Sequence, residues 1–270
     1  MKILLQGYTG VFGVAIAAFP LLVFAQEADS MAGMEPLVNI AFWAAVAAFL
    51  VAVGATYLAV RQFGTSSLAS IFSYLLIGTG IFFFITVFQL LGTSFFGIAD
   101  PSMDVWWHIM FYMAFAYYFY GLKLLIGLGS ADQVVKVGQE KKWGLFALVV
   151  LSIIFVFAKQ LDGVISGYTM SALYPMGVHH FVAFALAGVV GTYLMSAKKR
   201  IGMIGRSIAD PMIVTVWALA FIHAWELLNE SWKVIVVAPE VGEGVEKIFF
   251  IIAASSLTYA AWRLKSTSQA

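Results

Sequence analysis

Apolar residues in this chain are gathered into long runs, each closed by a short polar or glycine-bearing segment. Seven of the runs lie near 37–60, 68–96, 104–127, 142–159, 176–197, 211–231 and 246–264. Each is close to or above the roughly 20 residues that a helix needs to cross a bilayer. A further run, residues 1–25, places Lys2 ahead of an apolar stretch and Val23-Phe24-Ala25 before Gln26. That order predicts a cleaved signal peptide, with an uncleaved first helix as the alternative. Both outcomes carry residues 26–35 to the outside. The expected fold is all-α: a polytopic integral membrane bundle of seven transmembrane helices after the signal peptide, forming one domain over residues 26–270. No internal repeat or low-complexity segment interrupts it.

The polar segments between runs alternate in charge. Arg61, the loop from Lys123 to Lys142, Lys198-Lys199-Arg200 with Arg206, and Arg263 with Lys265 fall on one side. Asp100, Asp162, Glu240, Glu243 and Glu246 fall on the other, with Lys159 and Lys233 among them. The excess of basic residues assigns the first side to the cytoplasm. The N-terminus is then outside and the C-terminus inside, in a cell membrane crossed many times, and the signal peptide gives the same orientation. The longest connections fall at 129–142 inside and 160–175 outside. Asp100-Pro101-Ser102 and Asp210-Pro211 look like helix starts, a capping residue followed by proline in the first turn.

Composition narrows the chemistry. The chain is 62% hydrophobic and 11% charged with mean hydropathy +0.95, where a soluble domain is nearer half apolar and a quarter charged. A net charge of +1 gives nucleic acid nothing to bind. With no cysteine, disulfides, thiolate metal sites, iron–sulfur clusters and covalently attached haem are excluded. Nitrogen, oxygen and thioether ligands remain.

Within that apolar background one constellation stands out. His223, Glu226 and Glu230 are spaced i, i+3, i+7 near the outer end of the sixth run, which stacks them on one helical face. His108 lies just inside the outer start of the third run, and His179 and His180 just inside that of the fifth. All four histidines of the chain thus share one side and depth. Gln89, flanked by Thr86 and Thr93, makes a polar stripe in the outer half of the second run. Gly177, His180, Phe184, Gly188 and Gly191 share a face, and small residues mark where another helix or a flat cofactor approaches. That face selects His180 as the inward member of its pair, with His179 turned about 100° away. Asp104 shares a face with His108 and is placed to orient it. Met176, four residues before His180, is a possible thioether ligand. A lone histidine near a helix end is commonly interfacial, and Trp106, Trp107, Trp225 and Trp232 fit an aromatic belt. Four histidines on three helices at one depth favour a site, because ionisable groups at membrane depth are costly.

Neutral imidazoles converging inside a bundle are the usual means of holding haem iron, copper or zinc. The expected ligands are His108, His180, His223 and Glu226. Asp104, His179, Glu230, Gln89 and Met176 are orienting groups or alternative ligands. The spacing leaves haem b and a copper or zinc ion open. The chain lacks the His-x-x-x-His pair that membrane zinc hydrolases of the ceramidase type carry on a late helix. The expected function is electron transfer within a membrane redox complex, the partners being the lipid bilayer, other membrane subunits and a quinone. The alternatives are a metal-dependent membrane hydrolase and a cofactor-free accessory subunit.

Overall fold

The computed structural model describes residues 35–64, 66–96, 100–127, 158–201 and 203–267, and among them every regular element is helical. In chain order these are α1 (Glu35–Phe63), α2 (Ser67–Phe96), α3 (Asp100–Gly127), α4 (Ala158–Thr169), α5 (Val178–Ala197), α6 (Met203–Glu226) and α7 (Pro239–Thr267). A short 3-10 turn, Lys198–Arg200, precedes α6, and a π turn, Leu227–Ser231, follows it. Among the described residues six helices are long and apolar enough to cross a membrane: α1, α2, α3, α5, α6 with its π turn, and α7. The expected signal peptide lies outside the described residues, as does nearly all of the expected span near 142–159.

The six long helices close into a ring. α1 packs on α2, α2 on α3, α3 on α5, α5 on α6, α6 on α7, and α7 back on α1. Phenylalanines fill the interior. The buried ring of Phe82 on α2 lies 5.7 Å from Phe49, 5.5 Å from Phe111, 5.5 Å from Tyr118 and 6.4 Å from Phe250. Four helices therefore meet over one aromatic cluster in edge-on and stacked contacts of the kind rings prefer. Outward positions of α1 such as Ile40, Leu50, Val51 and Leu58 are exposed. Apolar residues facing out and also packing in are what a lipid solvent requires.

Several expected features sit differently. α6 begins at Met203, so Asp210-Pro211 lies inside the helix and does not start it. Asp210 pairs with Lys198 of the 3-10 turn and does not cap. One turn after the proline, Thr215 Oγ1 donates to Pro211 O at 3.1 Å and to Ala253 O on α7 at 3.3 Å. The expected outer loop 160–175 carries α4 through Thr169 and then a series of turns to Gly177. Trp106 and Trp107 are buried, not belt residues, whereas Trp232 is exposed. The glycine face of α5 is only partly a contact face. A Cβ on Gly191 would meet the Trp217 indole at 3.1 Å, but one on Gly188 would meet nothing within 4 Å.

Candidate metal centre

Three helix ends supply the site: the starts of α3 and α5 and the end of α6. Gly177, whose positive φ of 69° suits glycine, turns the chain into α5 and sets His179 and His180 in its first turn. On α6, His223 and Glu226 sit one turn apart immediately before the π turn. A π turn takes more residues per revolution and is a recurrent feature of functional sites. It also breaks the α phase, so Glu230, expected on the same face, is exposed and outside the cluster.

His108, His180, His223 and Glu226 come together as a fully buried group that can hold a metal ion, with one ligand atom from each lying within 4.8 Å of all the others. His108 is 1% exposed, His223 0% and Glu226 6%. A single oxygen is at the centre. Glu226 Oε2 lies 2.8 Å from His223 Nδ1, 2.9 Å from His180 Nδ1 and 3.9 Å from His108 Nε2. The His180 contact is short yet not aligned as a hydrogen bond, and His180 Nδ1, His108 Nε2 and His223 Nε2 have no hydrogen-bond partner. An unsatisfied buried polar atom costs about 1–3 kcal/mol. Two of them, His180 Nδ1 and His108 Nε2, face the Glu226 carboxylate, where a cation could be held.

The other nitrogen of His108 explains its orientation. Nδ1 lies 2.9 Å from the Asp104 carbonyl oxygen and 3.1 Å from Asp104 Oδ1, so the network places the proton on Nδ1 and leaves Nε2 as a lone pair facing Glu226. Asp104 thus contacts the imidazole through both its carbonyl and its carboxylate. Its other oxygen, Oδ2, lies 2.9 Å from His179 Nε2.

His179 is also buried, contrary to the expectation that it turns away from the bundle. The segment 158–177 provides the second wall. Tyr168 Oη of α4 lies 3.0 Å from His179 Nδ1, and the Tyr174 ring stacks on His179 at 4.9 Å with a 4° interplanar angle. Burial, reinforced by the nearby Asp104 charge, raises the Tyr174 phenol above its ordinary range, so it stays protonated. From α3, Tyr112 donates its hydroxyl proton to His179 O at 2.8 Å. Asp104, His108, His179 and His180 form a second group able to hold a metal ion.

Aromatic rings close the remaining sides. Phe111 lies edge-on to His223 at 4.2 Å and Trp107 at 5.2 Å, and Trp107 is also 4.9 Å from His108. Phe111 shared the His108 face in the sequence, but the others did not stand out as part of a site. Trp107 read as a belt residue, and Tyr168 and Tyr174 lay in an expected loop.

The remaining candidates are elsewhere. Met176 is exposed and stands in neither group. Gln89 belongs to another polar pair: Lys247 Nζ donates to its Oε1 at 3.0 Å. Lys247 is 0% exposed, lies 3.6 Å from Glu246 Oε2, and sits over the Phe42 ring at 4.5 Å. It escaped notice because it lies at the edge of its apolar run, beside Glu246, which read as a loop acid because α7 starts earlier than expected.

No protein-family model, curated protein or solved structure matches this chain.

Proposed function

We propose that this chain is a membrane-embedded metalloprotein that binds a redox-active ion, copper or iron, through His108, His180, His223 and Glu226, and uses it for electron transfer within a membrane complex. The observation that carries the reading is the set of distances about Glu226 Oε2. Ligands at about 2.0–2.1 Å from a tetrahedral ion are about 3.3 Å from one another. Oε2 lies 2.8, 2.9 and 3.9 Å from the three imidazole nitrogens, which straddles that edge. With the widest pair at no more than 4.8 Å, closure asks for at most about 1.5 Å of side-chain adjustment. The short unaligned contact between His180 and Glu226 suits two ligands on one ion better than a donor and its acceptor.

Other features choose among uses. Haem needs a slot between two imidazoles, but the His108 ring lies 4.7 Å from His180 and 5.1 Å from His223. Trp217 occupies the close approach at Gly191. These contacts favour a single small ion. Hydrolytic zinc keeps a coordination position open to water and substrate, whereas four buried side chains converge here. A closed set favours electron transfer. The charge asymmetry of the connecting segments supports an extracytoplasmic position for this end of the bundle, where a quinone or a neighbouring membrane subunit would serve as electron partner.

Protein extracted in mild detergent is expected to carry at least one copper or iron ion per chain by elemental analysis, with an optical or paramagnetic signal that changes on reduction. A colourless sample containing only zinc would replace electron transfer by the hydrolytic reading. A sample with no metal, which also takes up none on addition, would leave the accessory-subunit reading.

A further inference from the structure

We infer that the centre holds two metal ions, with His108 bridging them through its two ring nitrogens. The second ion is bound by Asp104, His179 and His108 Nδ1. This inference rests on the metal reading above and extends it. His108 and His180 belong to both of the groups able to hold an ion, and His108 faces them with different atoms. Its Nε2 looks toward Glu226 at 3.9 Å, and its Nδ1 toward Asp104 Oδ1 at 3.1 Å. Nδ1 also meets the Asp104 carbonyl oxygen at 2.9 Å, and an imidazole with a carboxylate oxygen near each of its two nitrogens is arranged to join two cations.

The second set has the donors and the outer support that an ion needs. Asp104 spans two imidazoles, with Oδ1 3.1 Å from His108 Nδ1 and Oδ2 2.9 Å from His179 Nε2. These separations are again close to the edge of a coordination polyhedron with bonds of about 2.0–2.2 Å. His179 is held from behind. Its Nδ1 lies 3.0 Å from Tyr168 Oη, which can accept the Nδ1 proton and leave the Nε2 lone pair for metal. Metal-bound histidines characteristically donate their second N–H to such a partner. Tyr174, stacked on the same ring, fixes its plane. Asp104 is 27% exposed by side chain while Glu226 is 8% exposed, so the second position is the more accessible one.

Loading the second ion forms a bond from it to His108 Nδ1 and breaks that Nδ1–H bond. The proton leaves to bulk solvent, as metal binding to imidazole generally requires. His108 then bridges as an imidazolate, and no electron is transferred.

The test is copper stoichiometry of metal-stripped, detergent-solubilised protein titrated with Cu(II), followed by elemental analysis and paramagnetic resonance. Wild type is expected to retain two copper ions per chain with a spin-coupled signal. His179→Ala and His179→Gln are expected to retain one, with the uncoupled signal of an isolated ion. Tyr168→Phe, which removes only the outer support, is expected still to take up two. Each variant is accepted only if its elution on size exclusion matches wild type; with two substitutions at position 179, one folding failure leaves the other to decide. One ion in wild type, or two in both His179 variants, would overturn the bridged pair while leaving a mononuclear centre intact. No copper in wild type would overturn the metal reading itself, so the two failures are distinct.

Discussion

His223→Ala should lose the ion next to Glu226 altogether. Its ring is the most enclosed of the four, at 0% exposure, with Phe111 at 4.2 Å and Trp107 at 5.2 Å against it. Changes to groups that merely orient a ligand typically cost about 10–100-fold in metal affinity, so a loss well beyond 100-fold marks a direct ligand. The substitution also opens a cavity, and large-to-small changes in packed sites cost about 2–5 kcal/mol. Binding must therefore be compared between folded samples, with His223→Gln as the fuller side chain. The measurement is equilibrium dialysis against Cu(II) or Zn(II). The same number of ions bound at wild-type affinity in both variants would remove His223 from the site.

Glu226→Gln is the second large expected effect, and it separates metal binding from simple charge pairing. In the metal account the carboxylate is a ligand at the centre of three imidazoles, so the neutral amide should lower affinity more than about 100-fold, beyond the range of orienting groups. In that account Glu226 serves the ion and offsets no other buried charge, so once metal is stripped an amide of nearly the same shape fills the same space. Metal-stripped Glu226→Gln should then unfold within a few degrees of metal-stripped wild type. If Glu226 instead served to neutralise protonated His180 and His223, removing it would strand buried positive charge, a loss of about 3–5 kcal/mol. Thermal unfolding of both stripped proteins in the same detergent distinguishes the cases. A large destabilisation with unchanged metal affinity would contradict the role given to Glu226 here.

The apolar runs announced the helices because lipid leaves the backbone few choices, and a run of about 20 residues has little alternative to a helix. The depth of the histidines followed from counting along those runs. Contacts across the bundle did not follow, since they depend on how the helices are rotated and on what folds over their ends. His179 shows this best. By phase it turned away from His180, and it is buried because α4 and the turns after it lay Tyr168 and Tyr174 against it. Glu230 shows the converse: a π turn that nothing in Leu227–Ser231 announces takes it off the face of His223. Lys247 carried no periodic signal at all, and its burial against Phe42 and Gln89 comes from α1 and α2 closing the ring on α7.

X-ray absorption at the edge of the bound metal, on protein purified without added chelator, examines the ligand set directly. The account predicts a first shell of nitrogen and oxygen atoms alone at about 2.0–2.2 Å, with the outer-shell scattering of at least two imidazoles and no sulfur. A sulfur contribution would bring a methionine such as Met176 into the site, and a haem-like shell of ring nitrogens would restore the macrocycle. Either result, or no metal edge at all, would contradict a centre built from His108, His180, His223 and Glu226.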